Sequence, residues 1–572
     1  MSKNRNLTIW LPVIIAASIA LGIFVGNHYL VLSQGKQTRS YTSGNKINAI
    51  LDIINQQYVD TVNMPQLIEG TIPKIFSELD PHSLYIPAEE ATAAHEELEG
   101  SFSGIGVSFN MQTDTILVIS VISGGPSEKA GLLPFDRIIT INDSVYSGKN
   151  ISQTKIMRTL RGEKNSTVHL GVQRGNNPEL LHFDITRGDV PVTSVDVSYV
   201  VKPGIGYIKV SKFGRTTYAE FITAIAKLKM ENCDSFIIDL RGNTGGYMDA
   251  AINMINEFMP AGRLVVYTEG KAFPRNEIYT NGTGTCQESP VVILTDEFSA
   301  SASEIFAGAI QDNDRGLIVG RRTFGKGLVQ SPIQLNDGSE VRLTIARYYT
   351  PSGRCIQKEY ELGNNTDYDQ DIYNRYLHGE FDSADSIKMD DSLKYITHIG
   401  RTVYGGGGIM PDVFIPRDTS GITSYFSNVI NTGVLPLYAL EYSDKHKTEL
   451  AKFGTWEEMY SYLKQQPILY DFTNFAAGRG IKKRPTLINI SGKLMEKQIQ
   501  AYIVRNFFDE AGFYPIFMQD DATLLRAIQL IQEGKSIPTL NNDLNNGVAS
   551  SQTGFTQRIG FTKEKISEVF IG

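Results

Sequence analysis

Cysteine is nearly absent: Cys233, Cys286 and Cys355 are the only three in 572 residues. At most one disulfide can form from them, and their spacing fits no zinc pattern. This excludes a disulfide-built scaffold and a cysteine-ligated metal. The eight histidines are scattered singly, with no His-Glu-x-x-His, so no metal and no cofactor is expected. A basic surplus is lacking too. The net charge of -8 argues against a nucleic-acid partner, because phosphate binding needs clustered Lys and Arg. There is no Gly-x-Ser-x-Gly elbow and no clear internal repeat.

Two motifs are present only in damaged form. Thr92-Ala93-Ala94-His95 with Gly242-Asn243-Thr244-Gly245-Gly246 has the outline of a chymotrypsin-type protease. Thr244 stands at its nucleophile position, however, and His95 lies in a charged helical stretch. Gly320-Arg321-Arg322-Thr323-Phe324-Gly325-Lys326-Gly327 nearly spells a phosphate-binding loop. Gly327 replaces the Ser or Thr whose hydroxyl would hold magnesium.

The remainder reads as a multidomain α/β chain. Lys3 and Arg5 precede an uncharged apolar run, residues 7–25, long enough for a tilted membrane helix. Basic residues keep the leading end cytoplasmic, so residues 1–32 are expected to form a cytoplasmic tip and an uncleaved anchor. A cleaved signal peptide would have a shorter apolar stretch. After a polar linker at 33–44, helical spacing at Ile47, Ile50, Leu51 and Ile54 opens a helical lead-in over 45–100. Strand-like alternation fills 101–190. An α/β body follows over 191–418, interrupted by a polar, tyrosine-rich insertion at 357–400. Helices dominate 419–536, and a flexible tail rich in Asn, Ser and Gly is expected over 537–572.

Within 101–190, Gly104-Ile105-Gly106-Val107-Ser108-Phe109 precedes Pro126-Ser127-Glu128-Lys129-Ala130-Gly131-Leu132, Asp136 and Ile141-Asn142. This run resembles a PDZ domain. In such domains a glycine-containing loop, here Ser103, Gly104, Ile105 and Gly106, offers backbone N–H groups to a terminal carboxylate. The peptide then adds to the sheet edge. Taken alone, Gly104 and Gly106 would mark only a tight turn before a strand.

Residues 295–305 join a strand to a small-residue helix. A serine at such a turn faces amides at the positive helix end, which can stabilise an oxyanion. Ser301 and Glu304 also have capping-box spacing, so Ser301 reads equally as a helix cap. Lys326 lies between Gly325 and Gly327. A serine hydroxyl needs a base to become nucleophilic, and a neutral lysine can serve. Burial or neighbouring positive charge would lower its pKa, with Arg321 and Arg322 as candidate neighbours. By itself, Lys326 reads as an exposed turn lysine.

Taken in order, Leu79-Asp80-Pro81-His82-Ser83, Asp239-Leu240-Arg241-Gly242-Asn243-Thr244-Gly245-Gly246, Ser299-Ala300-Ser301-Ala302-Ser303-Glu304, Phe324-Gly325-Lys326-Gly327 and Gly408-Ile409-Met410-Pro411-Asp412 resemble the carboxyl-terminal processing, or tail-specific, serine proteases. The insertion and the helical extension resemble a longer branch of that family. The resemblance implies a crotonase-like protease body, with Ser301 as nucleophile, Lys326 as general base and Gln330 orienting the lysine. It also implies an oxyanion hole from Ala302 and either Gly245 or Gly246. Arg161 matches a PDZ position proposed to sense substrate; its plain alternative is a surface ion pair. The implied partners are protein or peptide C-terminal tails, with a homo-oligomer or an adaptor lipoprotein left open. The implied place is a single-pass bacterial inner-membrane protein with its body in the periplasm. Against this stands a non-catalytic periplasmic adaptor that only binds tails, and more remotely an acyl-CoA enzyme.

Overall fold

The computed structural model describes residues 46–112, 115–146, 152–175, 177 and 179–540, with 10, 12, 13 and 15–25 near the N-terminus. Those N-terminal residues are helical, yet among the described residues no helix is long and apolar enough to cross a membrane. The anchor expected over 7–25 is therefore not supported. Residues 7–9, 11 and 14 of it, the linker 33–44 and the tail from 541 onward lie outside the described residues.

The chain divides into two compact units, 1–74 and 75–572. The first holds the helix Lys46–Gln57 and most of Met64–Phe76. The second is organised on a six-stranded sheet ordered Val195–Lys202, Ile205–Val210, Ser235–Asp239, Val291–Thr295, Leu317–Gly320, Val413–Phe414. Its first pair is antiparallel and the others are parallel. Ser235–Asp239 and Val291–Thr295 are buried throughout, as expected of parallel strands covered on both faces.

One face packs under the helices Thr217–Met230, Met248–Asn256 and Ala302–Asp312, where Phe221, Met254 and Phe306 join the core. The other face is covered from far along the chain. Leu524, Ala527, Ile528 and Leu530 of the helix Ala522–Gln532 pack on Tyr207, Ile237, Val292, Leu294 and Val319. Asp521 caps this helix by accepting from the Leu524 amide at 2.8 Å and pairs with Arg241 at 2.9 Å. The C-terminal helical region is thus not an appendage, since its last helix completes the sheet's core. Its other helices, among them Val434–Lys445, Ile468–Gly478 and Pro485–Phe517, enclose a core of their own.

A second sheet centres on Glu340–Tyr349, which pairs with Leu84–Ile86, Leu264–Glu269 and Leu328–Gln334 and sets Gln330 opposite Thr344. The strand-rich unit between residues 101 and 191 has its own sheet of Val107–Gln112, Thr115–Val121, Arg137–Ile141, Thr167–Gln173 and Leu181–Thr186. Its hairpin at Asn142 and Asp143 has φ of 47° and 61°, the paired left-handed geometry of a type I′ turn. In the 357–400 segment the helix Asn365–Leu377 brings Tyr368 and Ile372 onto Ala300 and Phe324.

Replacing Leu530, which is fully buried against the sheet, with Ala should cost about 2–5 kcal/mol through lost burial and an unfilled cavity. Denaturant unfolding measures this, and an unchanged midpoint would refute the packing.

Candidate active site

The strand Val291–Thr295 ends in a turn whose following helix, Ala302–Asp312, begins at Ser301. Ser301 does occupy the N-cap, and Glu304 Oε2 accepts from its amide at 2.9 Å. The cap reading is therefore correct as far as it goes. A helix cap, however, ordinarily has extended backbone angles, whereas Ser301 has φ 54° and ψ −114°. Such strain in a residue with a Cβ persists only where the surroundings impose it, and it gathers at functional sites.

The surroundings are a neighbouring loop stitched to this turn. Ala300 N–H and Ser303 Oγ–H both donate to the Asn243 carbonyl (3.0 and 2.9 Å). Gly242 N–H donates to Asp296 Oδ1 at 2.9 Å. These bonds press Gly245 so close that a Cβ there would lie 2.7 Å from Ser301 Cβ, and its φ of 109° independently requires glycine. The Gly245 amide is taken by Asn243 Oδ1 at 2.9 Å. The exposed Gly246 has no amide acceptor among the described residues.

Glu304 joins this turn to the lysine loop. It is fully buried and accepts from Thr323 Oγ1 (2.5 Å), Gly325 N (2.7 Å), Lys326 N (2.8 Å) and Ser301 N. Burial raises its pKa to about 7 against the pull of those four donors. The Tyr348 hydroxyl also spans both loops, reaching the Ser301 carbonyl at 3.0 Å and the Lys326 carbonyl. The Lys326 amine donates to Gln330 Oε1 at 3.2 Å, and Gln330 Nε2 donates to the His82 carbonyl.

Desolvation is the main cause that lowers the Lys326 pKa to about 8. The charge of Arg342 helps, and Asp80 and Glu304 oppose it. Arg321 and Arg322, the neighbours expected from sequence, are spent elsewhere, on Glu297 at 2.7 Å and Glu380 at 2.6 Å. Arg342 was missed because it is adjacent only through sheet pairing. His82 offers no rival base. Burial first, then Lys326 and Lys358, pushes its pKa down to about 2, and its Nε2 is bonded to the Tyr368 hydroxyl at 2.7 Å. His95 is bonded to the buried Glu340.

The peptide-loop candidates lie in the strand-rich unit. Ser103 and Gly104 belong to the short strand Ser101–Gly104, and Gly106 has φ 75°. The Ile105 carbonyl accepts from Ser127 N at 2.8 Å. Arg161 does form an ion pair, with Glu96 at 3.3 Å, and its guanidinium lies 4.3 Å from the Phe102 ring centre. Glu96 also accepts from the Ser103 amide at 3.5 Å.

The model for peptidase family S41 matches residues 204–369, that for the PDZ domain 103–185, and that for the N-terminal domain of the activating protease CtpB 26–90. Residues 425–509 match a family of unknown function. The carboxy-terminal processing protease CtpB of Bacillus subtilis (strain 168) is 33% identical over 317 residues, covering 55% of this chain and 65% of that protein. CtpA of the same organism is 32% identical over 367 residues, covering 62% of this chain and 76% of the relative. Among solved structures, a photosystem II D1 C-terminal processing protease aligns over 66% of this chain and 94% of its own, at 24% identity and a TM-score of 0.32.

Glu304→Gln turns one acceptor oxygen into a donor that faces N–H and O–H groups, which should cost about 1–3 kcal/mol or more for each donor left unpaired. The contribution of Glu304 to the parent's stability declines as pH rises from 4.5 toward 7, because its raised folded pKa must be overcome. The deficit of the variant should therefore narrow over that window. Melting temperatures at pH 4.5 and 7 test this, and a widening gap would contradict the assigned shift.

Proposed function

Because this chain belongs to the carboxy-terminal processing proteases of peptidase family S41, we propose that it is a serine endopeptidase. On this reading it cleaves proteins near their C-terminal tails with Ser301 as nucleophile and Lys326 as general base. The observation that carries the reading is the buried Glu304 carboxylate, which holds the Ser301 amide and the Lys326 amide together while the lysine amine is kept near neutrality. Gln330 is the orienting residue, through its hydrogen bond to the amine.

A tail enters and its carboxylate docks at Ser103, Gly104, Ile105 and Gly106, where Arg161 exchanges Glu96 for the substrate. Lys326 takes the Ser301 hydroxyl proton as the oxygen attacks the scissile carbonyl carbon. The tetrahedral oxyanion is held by the amides of Ala302 and Gly246, because the Gly245 amide is already engaged. The ammonium returns its proton to the leaving amine. Water, deprotonated by the same lysine, then attacks the acyl carbonyl, and the ammonium returns that proton to the departing Ser301 oxygen. On the same reading the body works in a bacterial periplasm, directed there by the segment that follows Lys3 and Arg5.

Cleavage of a protein with an accessible C-terminal tail should vanish in Ser301→Ala and in Lys326→Ala. The parent's rate should climb with pH through an apparent pKa of about 8, since only the neutral amine accepts the proton. Full activity in either variant would refute the pair. Tail binding by the intact parent without turnover would favour the adaptor instead.

A further inference from the structure

Gln330 is itself held by a relay that reaches into two segments with no assigned part in the chemistry. Its Nε2 donates to the His82 carbonyl, so the orientation of the Gln330 amide depends on the turn that carries His82. That turn is clamped from both sides. On one side, Asp80 Oδ1 accepts from the His82 and Ser83 amides (3.0 and 3.1 Å) and from Thr344 Oγ1 (2.9 Å). Ser83 Oγ accepts from the Thr344 amide at 3.0 Å, and Thr344 is the strand partner of Gln330.

On the other side, the His82 ring bonds to the Tyr368 hydroxyl at 2.7 Å. Tyr368 comes from the helix Asn365–Leu377 of the 357–400 segment. The same segment supports the lysine loop from behind. Gln357 Oε1 accepts from the Gly327 amide at 2.8 Å, Arg375 donates to the Thr323 carbonyl at 3.0 Å, and Lys358 lies 4.1 Å from the Phe324 ring centre.

We propose that His82 and Tyr368 are positioning residues for the Gln330–Lys326 pair, and that the 357–400 segment is thereby part of the catalytic apparatus. The inference rests on Lys326 acting as the base. The charges facing that amine are Arg342 from the strand, Asp80 from the turn and Glu304 from the helix, and His82 stays neutral beside it. Without a fixed Gln330 oxygen the ammonium loses an acceptor, so the charged form is disfavoured further.

The test is steady-state kinetics of Tyr368→Phe, His82→Ala and His82→Gln across pH, beside the parent. Tyr368→Phe and His82→Ala should lower kcat by about tenfold or more through misplacement, with KM changed by less than about twofold. The ascending limb should move to lower pH. His82→Gln, whose amide reaches the Tyr368 hydroxyl, should recover most of kcat. Unchanged kcat, or a limb that stays in place or moves upward, overturns the proposal even if melting temperature falls. If Tyr368→Phe does not fold, Thr344→Val, which removes a donor to Asp80 from the other side of the turn, carries the same expectation. A parent with no ascending limb near pH 8 would instead overturn the Ser301–Lys326 assignment beneath it.

Discussion

A carboxylate buried among donors is the constraint on which this site depends. Glu304 gathers the amides of Ser301, Gly325 and Lys326 and the hydroxyl of Thr323 around two oxygens. The Ser301 turn and the Lys326 loop leave neighbouring parallel strands, Val291–Thr295 and Leu317–Gly320. Sheet pairing alone brings them side by side but does not set their reach or rotation. A fully buried carboxylate is costly unless its lone pairs are filled, so the two loops must present their donors together. The left-handed backbone of Ser301 follows from this, because the residue is tied forward to Glu304 and sideways, through Ala300 and Ser303, to Asn243.

The lysine is tuned mainly by what surrounds it and less by any single partner. Removal of water lowers its pKa, Arg342 pushes the same way, and Asp80 and Glu304 pull back. The balance leaves an amine that loses its proton near the upper edge of neutrality. Such an amine has the proton affinity that the proposed general base needs, since it must accept a proton and later return it. His82, though close, is kept neutral and is occupied by Tyr368.

The parts legible in the sequence were those whose signal is local. The α/β body and the C-terminal helices were legible as regions, the lead-in as a periodic face, and Ser301 as a cap by its spacing from Glu304. Lys326 acquired meaning only through a resemblance, since an isolated lysine between glycines has no chemistry of its own. What sequence reading missed is long-range. Arg342 rather than Arg321 or Arg322 bears on the lysine, because strand register sets the distance. His82 meets Tyr368 from 286 residues away, a pairing for which no local pattern exists. Glu304 was read as half of a capping box, and its three other donors come from residues 323–326.

The helix Ala522–Gln532 has a consequence for the order in which the protein can be completed. Synthesis runs from the N-terminus, and the sheet that carries Ser301 keeps one face bare until residues 518–532 have followed it. More than a hundred residues separate that face from its cover, and contacts of such separation form late because the loop between them must first be closed. A nascent chain therefore holds the Ser301 turn and the Lys326 loop before it holds the helix that covers this face of the sheet. In physical terms, the helix Ala522–Gln532 acts as a timer on the first moment at which the sheet beneath the Ser301 turn is covered on both faces.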